Sequence, residues 1–278
     1  KSLACILKLS LGPPSQQRRY HSFVIFMKIL LTISSLLLLT SLNAQELPTL
    51  KPTLGKIVDF NPTVQQEWAL RDKALNDLNQ GNRSWEELTP KEEAIIEKYG
   101  EVYENMWDIV GGGCSWYCGG GQDTQTASSE LTAQGNSTYS VKNAHDLSYE
   151  TAWVEGVSGY GVGEYIEYHF KPENPRITEI IIVNGYVKSD NAWKNNSRVK
   201  KLKVYIDNKQ HAILALEDSK AEQHFKVDPV GYGDREDFEL LKKKPGFTMK
   251  FEILEVYPGL KWDDTAITEI YFDGIDVH

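Results

Sequence analysis

Cysteine is scarce: three occur in 278 residues. Cys5 lies ahead of Met27, in a stretch read below as upstream of the true start, which leaves Cys114 and Cys118. Two thiols cannot fill a tetrahedral zinc site alone. No histidine lies within twenty residues of them, so further ligands would come from His145 or beyond. Their C-x-x-x-C spacing is one residue too long for a thioredoxin-type pair. A cationic excess is also missing. With residues 1–44 removed, 25 basic residues face 39 acidic ones, a net charge near −14. That balance argues against nucleic acid or an anionic membrane surface as the main partner. Neither an internal repeat nor a low-complexity tract is present, and no Ser-His-Asp or metal-hydrolase arrangement is apparent.

Long apolar runs are missing too. The longest, Ile29 to Leu42, is short for a membrane span of about 20 residues. It follows Lys28 and ends in Leu42-Asn43-Ala44 before Gln45, the three-part layout of a secretory signal peptide. Residues 27–44 are therefore expected to be a signal peptide, with residues 1–26 upstream of the real start. The expected location is secreted, periplasmic or at the cell surface, without a membrane span. Outside the cytoplasm a close cysteine pair favours a Cys114–Cys118 disulfide over free thiols or a metal. The pair sits in GGGCSWYCGGG, residues 111–121, and glycine supplies the backbone angles a small ring needs.

What is present divides at that glycine run. Residues 45–60 read as a linker and 61–110 as a helical extension. Val64, Trp68, Leu75 and Leu78 share a face of the first helix, with Gly81 as its stop. Thr89 and Pro90 open the second, whose buried stripe is expected to run through Ala94, Ile95, Tyr99, Val102, Tyr103 and Met106. Residues 111–125 read as a hinge or strap. From 126 to 278 short runs rich in Ile, Val, Tyr and Phe alternate with turn signals: EYIEYHF, ITEIIIVNGY, VKKLKVYID, HAILALE, TMKFEILEVY and ITEIYFDGI. This spacing predicts a mainly β protein, an antiparallel sandwich or barrel. In VKKLKVYID, Val199, Leu202, Val204 and Ile206 form the inward face.

The loop NAHDLSYETAWVEG carries Asp146, Thr151 and Trp153 at D-x-x-x-x-T-x-W spacing. This resembles the first turn of the discoidin family, also called coagulation factor 5/8 type C, of galactose-binding-like fold. Further on, N-G-Y-x-K-S, N-S-R-V-K-K-L-K-V and V-Y-P-G-x-K-x-D-D-T resemble the NAD glycohydrolase translocation, or NADase-type glycan-binding, domain, from Ala127 to the end. The resemblance implies a discoidin-like antiparallel jelly roll. It implies structural calcium at Asp146, Ser148, Thr151 and Glu269, although Ser148 stands where the family usually has Asp or Asn. Calcium takes hard oxygens of this kind; the same residues could also close a metal-free turn. It further implies glycan binding. No room remains for a toxin's catalytic domain, so NAD cleavage is not inherited.

Ligand residues are expected among Glu155, Tyr160, Tyr186, Lys188, Trp193, Asn195 and Arg198, whose aromatic, amide and charged groups suit a sugar. GYGVGE, residues 159–164, precedes a predicted strand and so lacks the helix N-terminus of a nucleotide loop. The expected function is an exported, non-enzymatic glycan-binding protein. Two competing readings are a glycan-active enzyme using Glu155 with Asp263 or Asp264, and an assembly module whose helical extension meets a protein partner.

Overall fold

A computed structural model describes residues 46–112 and 115–277. The expected signal peptide, the upstream stretch and Cys114 lie outside the described residues, and the expected disulfide lies outside them with Cys114. Among the described residues no helix is long and apolar enough to cross a membrane.

Eleven strands, β1 to β11, are formed among the described residues. They are β1 (Thr49–Leu50), β2 (Thr53–Ile57), β3 (Gln122–Ala127), β4 (Trp153–Val154), β5 (Tyr165–Phe170) and β6 (Ile177–Asn184), then β7 (Ser197–Ile206), β8 (Lys209–Ala215), β9 (Ala221–Val230), β10 (Phe247–Tyr257) and β11 (Thr265–Gly274). One sheet runs β2-β9-β6-β11; the other runs β8-β7-β10-β5-β3. They are joined by a two-residue parallel register, Thr265 beside Ser197 and Ala266 beside Arg198. Ile180, Ile182, Phe225, Ile270 and Phe272 of the first sheet meet Ile166, Phe170, Leu202, Val204, Leu214 and Phe251 of the second in one core. The architecture is the expected discoidin-like β-sandwich. In β7, Val199, Leu202 and Val204 are buried as the alternation predicts.

The extension differs from its expected form. Within the stretch expected to be a linker, residues 46–60 carry two strands. β1 pairs in parallel with β8, and β2 adds antiparallel to β9, so the chain borders both sheets before the first helix. All five residues of β2 are exposed, which is why no hydrophobic pattern marked it.

Helix α1 (Pro62–Asn79) is capped by Asn61, whose Oδ1 accepts from the amides of Thr63 and Val64, with Pro62 in its first turn. Helix α2 (Pro90–Tyr99) opens on a capping box. Thr89 Oγ1 accepts from the Glu92 amide, and Glu92 accepts from the Thr89 amide at 2.8 Å. Arg83 clamps Glu92 from the other side at 2.9 Å. These bonds hold the Glu92 carboxyl down at about 2, with the Arg83 bond the largest cause.

The second helix stops at Gly100 and not near Met106, so the expected buried stripe is cut short: Ile95 and Ile96 are buried, whereas Val102 is 54% exposed. Arg71 takes over at that end. It is buried and donates to the carbonyls of Gly100 and Tyr103. Ala74, Leu88 and Ile96 form a small core between the two helices. The chain around them then covers the outer face of the first sheet. Val58 and Ile109 pack with Tyr149, Ile181, Val183, Val187 and Tyr271.

From Ser115 on, the glycine-cysteine segment is anchored in the sandwich and not left as a hinge. Its turn, Trp116–Cys118, drives Trp116 into the sandwich core at 1% exposure. The indole nitrogen donates to Pro175 O at 3.2 Å, and the Tyr117 hydroxyl accepts from the Phe272 amide at 2.9 Å.

Candidate ligand-binding site

The loop after the 3-10 turn Val141–His145 turns sharply at Leu147, whose φ is +58°. Asp146 holds the bend: Oδ1 accepts from the Ser148 amide at 3.1 Å, and Oδ2 accepts from the Thr151 hydroxyl at 2.6 Å. Glu269, fully buried on β11, accepts from the Leu147 amide through Oε1 at 3.2 Å. Its Oε2 is buried with no hydrogen-bond partner. Burial, and then the Asp146 charge, push the Glu269 carboxyl well above its ordinary range. Burial also raises Asp146.

His145 adds no charge to answer them. Burial lowers it to about 4, and its Nδ1 faces Ile270 O at 2.6 Å. A buried acid with an unpartnered oxygen is thus held near a second acid, Asp146, that reaches the surface. Those residues fit a hard divalent cation. Ser148 fits less well, since its hydroxyl accepts from the Glu150 amide. Among the described residues no three His, Cys, Asp or Glu side chains group to hold a metal, so carbonyl and hydroxyl oxygens would have to fill the remaining positions.

The seven expected ligand residues do not gather around one cavity. Glu155 is sealed at 0% exposure, with its carboxylate accepting from the amides of Val157 (2.8 Å) and Thr265 (3.2 Å). Gly161, at φ +64°, lies against that carboxylate where any side chain would collide. The glycine loop therefore lets the backbone close over Glu155, leaving Tyr160 40% exposed above it. Asp263 and Asp264 precede β11, and only Asp264 lines a cavity. Glu155 with either acid therefore does not make an exposed catalytic pair.

Arg198 is also structural. It is 7% exposed and forks onto Asp218 at 2.7 and 3.1 Å. It also donates to the carbonyls of Trp193 and Asn196, and its guanidinium lies 4.4 Å from the Trp193 ring centroid. Trp193 in turn donates from Nε1 to Asn184 O at 3.1 Å. Gly185, at φ +79°, admits both side chains. The Trp193–Arg198 pair thus braces the loop from beneath. Helix α3 (Asp190–Asn195) supplies that loop's regular part. Lys188 pairs with Glu150 at 3.1 Å. The Asn195 amide bonds Asn191 Oδ1, and the Asn195 carbonyl accepts from Lys261 and Trp262.

Tyr186 alone of the seven lines the cavity at this end of the sandwich. That cavity, of about 280 Å³, is lined by Leu131, Gln134, Tyr139, Tyr186, Asn191, Asn196, Trp262 and Asp264, together with Val154, Ser189 and Ala192. Trp262 is 40% exposed, and the Lys261 ammonium stands 4.4 Å from its ring centroid. Three aromatic rings, three side-chain amides, a hydroxyl and one carboxylate face the same space. Sequence reasoning missed Tyr139, Gln134 and Trp262. They come from loops more than a hundred residues apart, and only the clustering of aromatics in polar loops hinted at them.

A discoidin-like module with a cavity at one loop end is therefore in hand. Residues 116–273 match the model of the NAD glycohydrolase translocation F5/8 type C domain, and the chain belongs to that family. No curated protein matches the chain.

Similar solved structures include the paired CBM32-1 and CBM32-2 domains of Clostridium perfringens ZmpB. That match is 16% identical with a TM-score of 0.42, over 84% of this chain and 43% of that one. A second is CpGH89CBM32-5 from Clostridium perfringens in complex with GalNAc-beta-1,3-galactose, at 16% identity and TM-score 0.38, over 54% of this chain and 94% of that one. A third is the mycobacterial arabinofuranosyltransferase AftD, at 17% identity and TM-score 0.38, over 58% of this chain and 11% of that one. This chain thus spans less than half the length of the first structure.

Proposed function

We propose that the protein is an exported carbohydrate-binding module that takes a saccharide at the Tyr139–Tyr186–Trp262 cavity. The observation that carries this reading is the cavity's mixed lining. Aromatic faces cover the apolar C–H side of a sugar ring, while Gln134, Asn191, Asn196 and Asp264 meet its hydroxyls. A cavity of about 280 Å³ is near the lower end of small-ligand sites, so one or two sugar residues fill it. Export rests on the signal-peptide layout of residues 27–44. We read the role as binding; the enclosure of Glu155, the acid a glycan-active reading pairs with Asp263 or Asp264, supports this. Structural calcium at Asp146 and Glu269 would stiffen the loop leading to β4; when bound it supplies the positive charge those two carboxylates lack.

The test is a glycan array probed with the full mature chain, followed by calorimetry of the best saccharide with and without a chelator. Saturable binding of a mono- or disaccharide supports the reading. An empty array, with calorimetry silent at millimolar sugar, removes it.

A further inference from the structure

A larger cavity, of about 430 Å³, opens between β2, the turn that follows it and the two extension helices. It is remote in sequence from the saccharide cavity and shares no lining residue with it. Its walls are aromatic: Phe60, Trp68, Tyr99 and Tyr103. Trp68 and Tyr99 are in mutual contact, with ring centroids 4.9 Å apart. Three charged side chains share the lining, and two are answered. Lys98 pairs with Glu67 at 2.6 Å, and Asp59 pairs with Lys220 at 3.4 Å and accepts from Asn61 at 3.0 Å.

The third is Lys56, with which no carboxylate pairs among the described residues. Its ammonium rests on the rings of Tyr103 and Tyr149, at 5.7 and 5.2 Å from their centroids. A largely aromatic space of ligand size, with a cation at its wall that no carboxylate neutralises, selects a molecule of opposite charge and like body. We infer that this cavity is a second binding site, for a small organic anion with an aromatic or branched aliphatic body.

A matched set of probes tests it: 1-naphthoate, 1-naphthylmethanol and 1-naphthylmethylamine, titrated into the full mature chain. Methyl NMR follows Met106 and Val64, which line the cavity. Naphthoate is expected to bind saturably, to shift both methyl signals, and to bind more tightly than the alcohol or the amine. Lys56→Met, at an exposed side chain whose loss leaves the fold in place, should weaken naphthoate about tenfold, the worth of one charge-assisted bond, and leave the alcohol unchanged. Val64→Trp, which fills the space, should abolish both. Trp262→Ala should change neither, which separates this site from the saccharide site. No saturable naphthoate binding, or equal affinity in wild type and Lys56→Met, overturns the inference. Loss of naphthoate binding in Trp262→Ala does so too.

Discussion

The amide of Leu147 donates to the carboxylate of Glu269 across 122 residues of chain, at 3.2 Å, and the other oxygen of that carboxylate is buried without a partner. This bond ties the Asp146 loop to the last strand. It also holds that carboxylate beside a second acid, Asp146. A calcium ion there would bind the native state alone, so it should raise the melting temperature. At a hundred times its dissociation constant, one site contributes about 2.7 kcal/mol, or roughly 5–11 °C for a chain of this size. Glu269→Gln and Asp146→Asn should each remove the response. A wild-type melting curve indifferent to calcium and chelator alike would mean that the loop is a plain Asx turn.

Arg198 should behave as a brace. Arg198→Ala strands Asp218 and two carbonyls that the guanidinium now satisfies. The cost should be about 1.5–3 kcal/mol, or roughly 3–12 °C in melting temperature. Saccharide affinity measured well below the transition should change little. A folded, fully stable variant that has lost saccharide binding would instead place the guanidinium in the ligand site.

Trp116 lies against the core faces of Phe170 and Phe272, with ring centroids at 6.4 and 6.2 Å. Trp116→Ala should cost about 3–5 kcal/mol, as for other buried aromatic truncations. Urea denaturation gives the value directly. A loss under 1 kcal/mol would mean that the glycine-rich segment is dispensable for the sandwich.

The extension should respond to acid on its own. The folded Glu92 carboxyl sits at about 2, below the ordinary 4.5, because Arg83 and the Thr89 cap hold its ionised form. A depressed carboxylate contributes stability above the unfolded value and loses it as pH falls from about 4.5 toward 2. Helical ellipticity should decline across that window, and Glu92→Gln should begin lower at neutral pH and show a flatter acid limb. Identical acid limbs in the two proteins would contradict this account of the cap.

Much of the fold was readable where one face of an element is buried. The strand Tyr165–Phe170 alternates cleanly, and the Thr89 box announces its helix. The strand Ala221–Val230 was not readable, because Gln223 occupies an inward position at 0% exposure, satisfied by the amide and carbonyl of Glu217. A buried amide breaks the apolar alternation that marks a strand. The site was harder still. A charged residue within a distinctive motif looks like a ligand group, yet what decides Arg198 is Asp218, twenty residues on and brought close only by the sheet. Trp262 and Tyr139 face one cavity through tertiary folding alone, with no shared periodicity to join them.

The central claim, saccharide binding at that cavity, is tested most directly by titrating the best array saccharide into wild type and Trp262→Ala on the same calorimeter. Trp262 is partly exposed and its indole lies outside the hydrophobic core, so the variant should keep its melting temperature within about 2 °C, as surface changes do. Loss of a stacking face should weaken binding at least tenfold, about 1.4 kcal/mol. Equal affinity in the two proteins, with Tyr186→Ala also binding as wild type, would contradict the account.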